Sequence, residues 1–392
     1  MSERTPGVAA TNAETMPGVY VHLPFCPYIC PYCDFAKWPH KRSAAERYLA
    51  ALVAEIRSGP SVPQHDYATV FFGGGTPNTY AASDIAIVLQ ELREHFPGPP
   101  DRETTIEVNP ELVHADDLRA YRSSGIDRVS IGVQSFTESE IRTLGRRHTP
   151  EDIRRAVRAA REAGMRSVSL DLMFGVPGQT AQSWTDSLDA AIALDIDHIS
   201  TYGLTIEAGT PYEAWRDREP AAFFNDADEA ELYDIAISKL EAAGFEQYEI
   251  SNFARPGHAS AHNANYWQNG DYAGLGVGAA SYSGGVRSVH TRDLEEYIAA
   301  ALAGREIPSE SEALTGARRA GEAVMLALRT AQGVPLEGFK ERYGLDFLHF
   351  YAPIVRRYRE DGLLEVTSTH ARLTRRGRFL ANDVCAGFVT FE

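Results

Sequence analysis

From Val19 to about Ala242 the chain alternates two kinds of hydrophobic pattern. Short unbroken apolar runs suit buried parallel strands; the stretches between them repeat apolar residues every three or four positions, as helices do. Val19–Leu23 reads as the first strand, followed by a helix with Leu49, Leu52, Val53 and Ile56 on one face. Ala68–Phe72 is the second strand and stops at Gly73-Gly74-Gly75, and Ser83 predicts a cap for a helix carrying Ile85, Val88, Leu89 and Leu92. Thr104–Val108, Arg128–Val133, Val168–Phe174 and Ile196–Leu204 read as four further strands. Between them lie helices over about 114–123, 139–144, 150–162 and 181–194. A long helix with Leu232, Ile235, Ala236 and Leu240 inward closes the series. Six strand–helix alternations mean a parallel α/β sheet with right-handed crossovers. Cys26, Gly73 to Gly75, Glu107, Gln134 and Asp171 all fall at or just past strand C-termini, where barrel enzymes place their chemistry. The pattern therefore predicts a partial (β/α)6 barrel, open on one side to a large substrate.

Residues 257–308 break the pattern with Asn, Gly, Tyr and Ser and read as a loop-rich connector carrying His262-Asn263-Ala264-Asn265-Tyr266-Trp267. From about Ser309 to residue 392 the chain turns helical, with helices over about 336–343 and 347–359 and two short strands, 363–366 and 371–374. That arrangement is winged-helix-like. Residues 1–17 read as a disordered lead-in and 18–256 as the barrel.

Composition narrows the function. With 54 acidic against 38 basic residues the formal net charge is −16, which argues against nucleic-acid binding as the main activity. Arg372, Arg375, Arg376 and Arg378 form the one basic cluster and read as a solvated face. No apolar run reaches membrane-spanning length, and no secretory signal pattern opens the chain. Three of the four cysteines, Cys26, Cys30 and Cys33, are spaced C-x3-C-x2-C, which suits a metal site in a reducing, cytoplasmic setting better than disulfides. Three soft thiolates fit an iron–sulfur cluster with one open iron, or zinc with a fourth ligand such as His40. Cys385 reads as a buried thiol.

Gly74, Gly75 and Thr76 offer backbone groups to a ligand's ammonium and carboxylate. Glu107 and Asp171 offer acceptors for a ribose or ammonium, and Gln134 and Arg146 can address a carboxylate or hydroxyl. In His262, Tyr266 and Trp267 an imidazole and two flat rings could hold haem, or simply pack.

CPYICPYC after YVHLPF, together with GGGTP, resembles the radical S-adenosylmethionine (SAM) superfamily. IEVNPE, GVQSF, LGRRH, DLMFGVPGQT and LTIEAGTP extend the resemblance to its oxygen-independent coproporphyrinogen III oxidase group over nearly the full length. The resemblance implies a [4Fe-4S] cluster on Cys26, Cys30 and Cys33, with the methionine end of SAM on the fourth iron. In the superfamily, one electron from the cluster cleaves SAM to a deoxyadenosyl radical. By the same resemblance Tyr20, Gly74, Gly75, Thr76, Glu107, Gln134, Arg146 and Asp171 lie where SAM is bound.

Two branches of the group differ. The oxidase carries a fourth cysteine two residues past the third, where this chain has Phe35, and a longer arm before the cluster. The haem chaperone branch carries C-x3-C-x2-C-x-F and H-N-x-x-Y-W, and both are present here. The resemblance thus implies a chaperone that binds haem at His262, Tyr266 and Trp267 and passes it to acceptor apo-haemoproteins. An electron donor is implied if radical chemistry occurs, and a dimer is compatible. Coproporphyrinogen oxidation is the alternative that Phe35 argues against. Where relatives read Gly-Ala-His-Ser this chain has Gly278-Ala279-Ala280-Ser281, so no role of that histidine transfers.

Overall fold

A computed structural model describes residues 16–59 and 66–389; residues 1–15, most of the expected lead-in, lie outside them. Six parallel strands form the heart of the molecule: β1 (Gly18–Leu23), β2 (Thr69–Gly74), β3 (Glu103–Val108), β4 (Arg128–Gln134), β5 (Ser167–Phe174) and β6 (His198–Gly203). Each connection crosses through helix: α1 (Arg42–Ser58), α2 (Ala82–His95), α3 (Ala115–Ser124), the pair α4 (Glu138–Thr143) and α5 (Pro150–Glu162), and α6 (Ala181–Ile192). The strands are buried almost continuously, because helices cover their outer face and the opposite strands their inner one. Val19, Val21, Val70, Phe72, Ile106, Val129, Ile131 and Leu170 join the α1, α2 and α5 faces in one large core.

Three sequence expectations need correction. Ser83 lies inside α2, which starts at Ala82 without a side-chain cap. The supposed connector at 257–308 is structured. It holds a short helix over Ala261–Trp267 and three strands, 272–275, 280–283 and 286–290. The first of these pairs with β1 in parallel, Gly18 opposite Tyr272, so a seventh parallel strand extends the barrel. The other two, and Ser309–Ala313 where helix was expected, continue the same sheet antiparallel. Ser309–Ala313 is exposed along its whole length, so no apolar alternation marks it. Beyond β6 the sheet ends in two short antiparallel strands, 252–254 and 246–247. The edge strands stay unpaired and the barrel stays open.

The C-terminal unit has its own core, built from Val324, Leu328, Phe339, Phe347, Tyr351, Leu373, Val384 and Phe388 around a three-stranded sheet. Its expected helix over 347–359 is two, Phe347–Phe350 and Ala352–Glu360, because Pro353 can start a helix but not continue one. The arginine cluster is a solvated face, as expected, and its members also make local contacts. Arg375 pairs with Asp234 at 2.6 Å, Arg378 donates to Gln247 at 2.5 Å, and Arg372 pairs with Glu365. Cys385 is buried, as expected, and its thiol donates to the Met325 carbonyl at 3.5 Å. Among the described residues no helix is long and apolar enough to cross a membrane.

The helix over Ala261–Trp267 is fixed by one carboxylate. Glu103, at the start of β3, accepts from the amides of Ala261 (3.2 Å) and His262 (3.1 Å) and from the Ser260 hydroxyl (3.4 Å). Replacing it with alanine orphans buried donors, so Glu103→Ala is expected to cost about 1–3 kcal/mol of stability, read from the urea midpoint. An unchanged midpoint would contradict this anchoring.

Candidate functional site

The three cysteines sit on a loop held at both ends by backbone bonds. Cys26 closes the two-residue strand Phe25–Cys26, which pairs with Trp38–Pro39. The Trp38 amide donates to the Pro24 carbonyl (2.9 Å), and the His40 amide to the Cys26 carbonyl (2.8 Å). From the other side Gly75 N donates to Leu23 O (2.9 Å) and Thr76 N to Phe25 O (3.0 Å). The glycines make that approach possible. A Cβ at Gly75 would lie 2.7 Å from the Pro24 carbonyl carbon, and one at Gly74 (φ 112°) would lie 2.6 Å from the His22 ring. His22 was not singled out from the sequence, yet it ties the corner together. Its Nε2 donates to the Ala36 carbonyl at 2.7 Å, so its Nδ1 accepts from the Tyr20 hydroxyl at 3.0 Å.

The thiols face a common space. Burial pushes Cys26 up, and the neighbouring Cys33 and Cys30 push it the same way; Cys33 is likewise raised by burial, with Cys30 adding. A single zinc at bonds of about 2.3 Å would hold its sulfurs within about 4.6 Å of each other. Among the described residues the one group of ligand atoms all within 4.8 Å is Glu91, Glu94 and His95, remote on α2, and the cysteines are not so crowded.

Beside the cysteines lies Arg146. Its Nη2 donates to Asn109 Oδ1 (2.8 Å) and to the Gly132 carbonyl (2.5 Å), while its Nε is buried without a partner. Glu111 accepts from the Tyr28 hydroxyl at 2.5 Å, and its other oxygen is buried without a hydrogen bond, 3.8 Å from His148 Nδ1. Unsatisfied buried groups at a cluster mouth are where a zwitterionic ligand finds partners. Asn109, Glu111 and His148 belong to the IEVNPE and LGRRH motifs, so the sequence carried their signal although only Glu107 and Arg146 of those motifs were assigned from it. Gln134 sits at a bulge between β4 and β5 with φ 63°, a backbone state rare for a side-chain-bearing residue.

Deeper in, Glu107 and Asp171 face the same chamber, with Tyr20 and His262 also on its walls. Asp171 accepts from Ser130 Oγ at 3.0 and 3.1 Å. Burial raises it, and the Ser200 and Ser130 hydroxyls work against that rise. Glu107 is pushed up to about 8, first by burial and then by the Asp171 charge, with the Gly74 amide opposing. A cation bound between the two acids would relieve both. The expected SAM set, Tyr20, Gly74, Gly75, Thr76, Glu107, Gln134, Arg146 and Asp171, therefore lies along β1 to β5 and the turns beyond them.

His262 and Tyr266 line the far end of this same chamber, and Trp267 lies outside it. A Cβ on Gly18, the first residue of β1, would lie 2.9 Å from His262 Nδ1, which places the imidazole at the base of the barrel. The five steps from Gly18 to Leu23 span roughly 16 Å at about 3.3 Å each, and the cysteine loop lies beyond. His262 is 1% exposed and stacks on Phe71 at 5.1 Å; Nδ1 bonds Thr69 Oγ1 at 2.7 Å and Nε2 bonds the Tyr266 hydroxyl at 2.8 Å. Burial pushes its pKa down to about 3. With both nitrogens engaged it has no lone pair free for iron. The chamber it shares with Glu107 and Asp171 measures about 200 Å³. Trp267 lies under the Arg329 guanidinium at 5.0 Å. In this ligand-free state His262 and Tyr266 bond each other within the barrel wall, and Trp267 joins the wall to the C-terminal unit through Arg329.

The radical SAM superfamily model matches residues 20–191, and the HemN C-terminal domain model matches residues 314–380. The haem chaperone HemW of Bacillus subtilis (strain 168) is 35% identical over 95% of this chain and 99% of its own length. The chain belongs to the HemW branch of the radical SAM superfamily. HemW of Mycobacterium tuberculosis (strain CDC 1551 / Oshkosh) is 36% identical over 97% of this chain and 96% of its own. Among solved structures, the coproporphyrinogen III oxidase HemN of Escherichia coli, a radical SAM enzyme, aligns with TM-score 0.83 at 26% identity, covering 98% of this chain and 92% of that one. Membership implies a [4Fe-4S] cluster and SAM. The converging thiols, the Arg146 Nε and Glu111 oxygen that lack hydrogen bonds, and the facing acids fit both.

The Glu107 carboxyl gives a pH signature. The unfolded chain loses this proton near 4.5 and the folded one near 8, so over that window the folded state holds a proton the unfolded state lacks. Its contribution to stability therefore falls as pH rises from about 4.5 to about 8. In the ligand-free protein Glu107→Gln is expected to raise Tm by a margin that grows with pH across the window. A margin independent of pH would show that Glu107 ionises normally.

Proposed function

We propose that this chain is a haem chaperone that holds a [4Fe-4S] cluster on Cys26, Cys30 and Cys33 with SAM at the open iron, and delivers haem to acceptor apo-haemoproteins. The observation that carries the reading is full-length similarity to proteins named haem chaperones, joined to Phe35 in the position where the oxidase motif has cysteine. Arg146 and Gln134 would address the carboxylate and hydroxyls of SAM, Glu107 and Asp171 its cationic and ribose groups, and the Gly74–Thr76 backbone its methionine end. Bound there, a reduced cluster supplies a single electron to a ligand on its open iron. Haem and the acceptor protein are the partners, an electron donor joins them if SAM is cleaved, and the setting is cytoplasmic. A dimer is compatible with this reading.

The structural likeness to coproporphyrinogen III oxidase supports a second reading, anaerobic oxidative decarboxylation of coproporphyrinogen III. One anaerobically reconstituted sample separates the two. It is expected to bind haem stoichiometrically, with a Soret band, and not to turn over coproporphyrinogen III. Turnover would reverse the ranking.

The two bonds to the imidazole add a sharper expectation. His262→Ala is expected to lower Tm through two lost buried hydrogen bonds while leaving haem stoichiometry unchanged. Loss of haem binding with Tm intact would restore His262 as a ligand.

A further inference from the structure

Phe35 is 62% exposed, the most exposed large apolar side chain among the described residues, and Ile29 on the same loop is 41% exposed. An aromatic ring left in water forgoes most of its burial energy, so a held, exposed ring marks a contact surface when other features point the same way. Here the turn beneath the ring is rigidly bonded. Lys37 Nζ donates to the carbonyls of Cys33 (2.5 Å) and Phe35 (3.2 Å), and Arg292 Nη2 donates to the Asp34 carbonyl (2.9 Å).

Those bonds also bring two cations to the turn that carries the ring. Among the described residues neither Lys37 nor Arg292 is ion-paired to a carboxylate. In a chain of net charge −16, cations without a carboxylate partner suit anionic groups brought by a ligand. A ring open on one face with cations beside it matches a ligand that is flat, apolar on its faces and carboxylated at its edge. At the other end of the barrel both nitrogens of the His262 imidazole are already bonded, to Thr69 and Tyr266.

We propose that Phe35, Lys37 and Arg292 form the docking platform for the tetrapyrrole cargo, with the macrocycle on the Phe35 ring and its propionates on Lys37 and Arg292. The inference rests on the haem-chaperone reading and adds the location of the cargo. At the rim of the cluster mouth the outer face of the macrocycle stays open to an acceptor protein. The residue that departs from the oxidase motif then has a positive role: it exchanges a thiol for a stacking surface.

The test is an anaerobic Soret titration of the reconstituted full chain, in wild type, Phe35→Ala and Arg292→Glu. Cluster absorbance and far-ultraviolet circular dichroism check that the loop survives loss of the Arg292–Asp34 bond, and Arg292→Gln, which keeps a donor there, is titrated alongside. Each variant is expected to weaken apparent haem affinity by about tenfold. With haem dimethyl ester, Arg292→Glu is expected to match wild type, while Phe35→Ala remains weaker. Unchanged titrations in all three variants, with wild type binding normally, would overturn the platform. A wild-type chain that binds no haem would overturn the chaperone reading itself, and the platform with it.

Discussion

The close approach of the Gly74–Thr76 turn to the end of β1 is the constraint on which the site depends. Two backbone bonds, from Gly75 to Leu23 and from Thr76 to Phe25, fasten the start of the cysteine loop to the second strand. Both require a chain without side chains at Gly74 and Gly75, because the His22 ring and the Pro24 carbonyl occupy the space a Cβ would take. Once that corner is closed, Cys26 is fixed at the lip of the barrel. The bond from Cys33 N to Cys30 O (3.3 Å) turns the remaining thiols towards it. The cluster site follows from strand packing as much as from the cysteines.

The two ends of the barrel differ in kind. At the mouth, polar groups are left unsatisfied or perturbed: the Arg146 Nε, one Glu111 oxygen, and a Glu107 carboxyl held partly protonated. At the base, Glu103 accepts from three donors of one helix terminus, and both nitrogens of His262 are bonded. Buried polar groups without partners are where a ligand can complete the bonding. The His262 motif is not wholly closed either, since Asn265 Oδ1 and Trp267 Nε1 are buried without a partner.

The alternating barrel was legible because its strands are buried on both faces and so read as continuous apolar runs. The cysteine spacing and the strand-end acids were legible because they are local. What escaped the sequence is long-range or polar. Nothing near His262 announces that Thr69 and Glu103, far earlier in the chain, will bond it. Ser309–Ala313 is a strand without an apolar face, held by pairing to its neighbour alone. The glycines were read as room for a ligand, whereas their first contacts are with His22 and Pro24. Phe35 was legible as a departure from a motif, but its exposure, and the cations bonded beneath it, needed the folded loop.

The central claim is that three thiolates hold a cluster with one iron open to SAM. Electron paramagnetic resonance of the reconstituted, chemically reduced protein, recorded with and without SAM, tests it most directly. The expected result is a [4Fe-4S] signal whose shape changes when SAM is added, since a ligand enters the coordination sphere of the unique iron. A signal indifferent to SAM would contradict the claim, as would a colourless protein that carries only zinc.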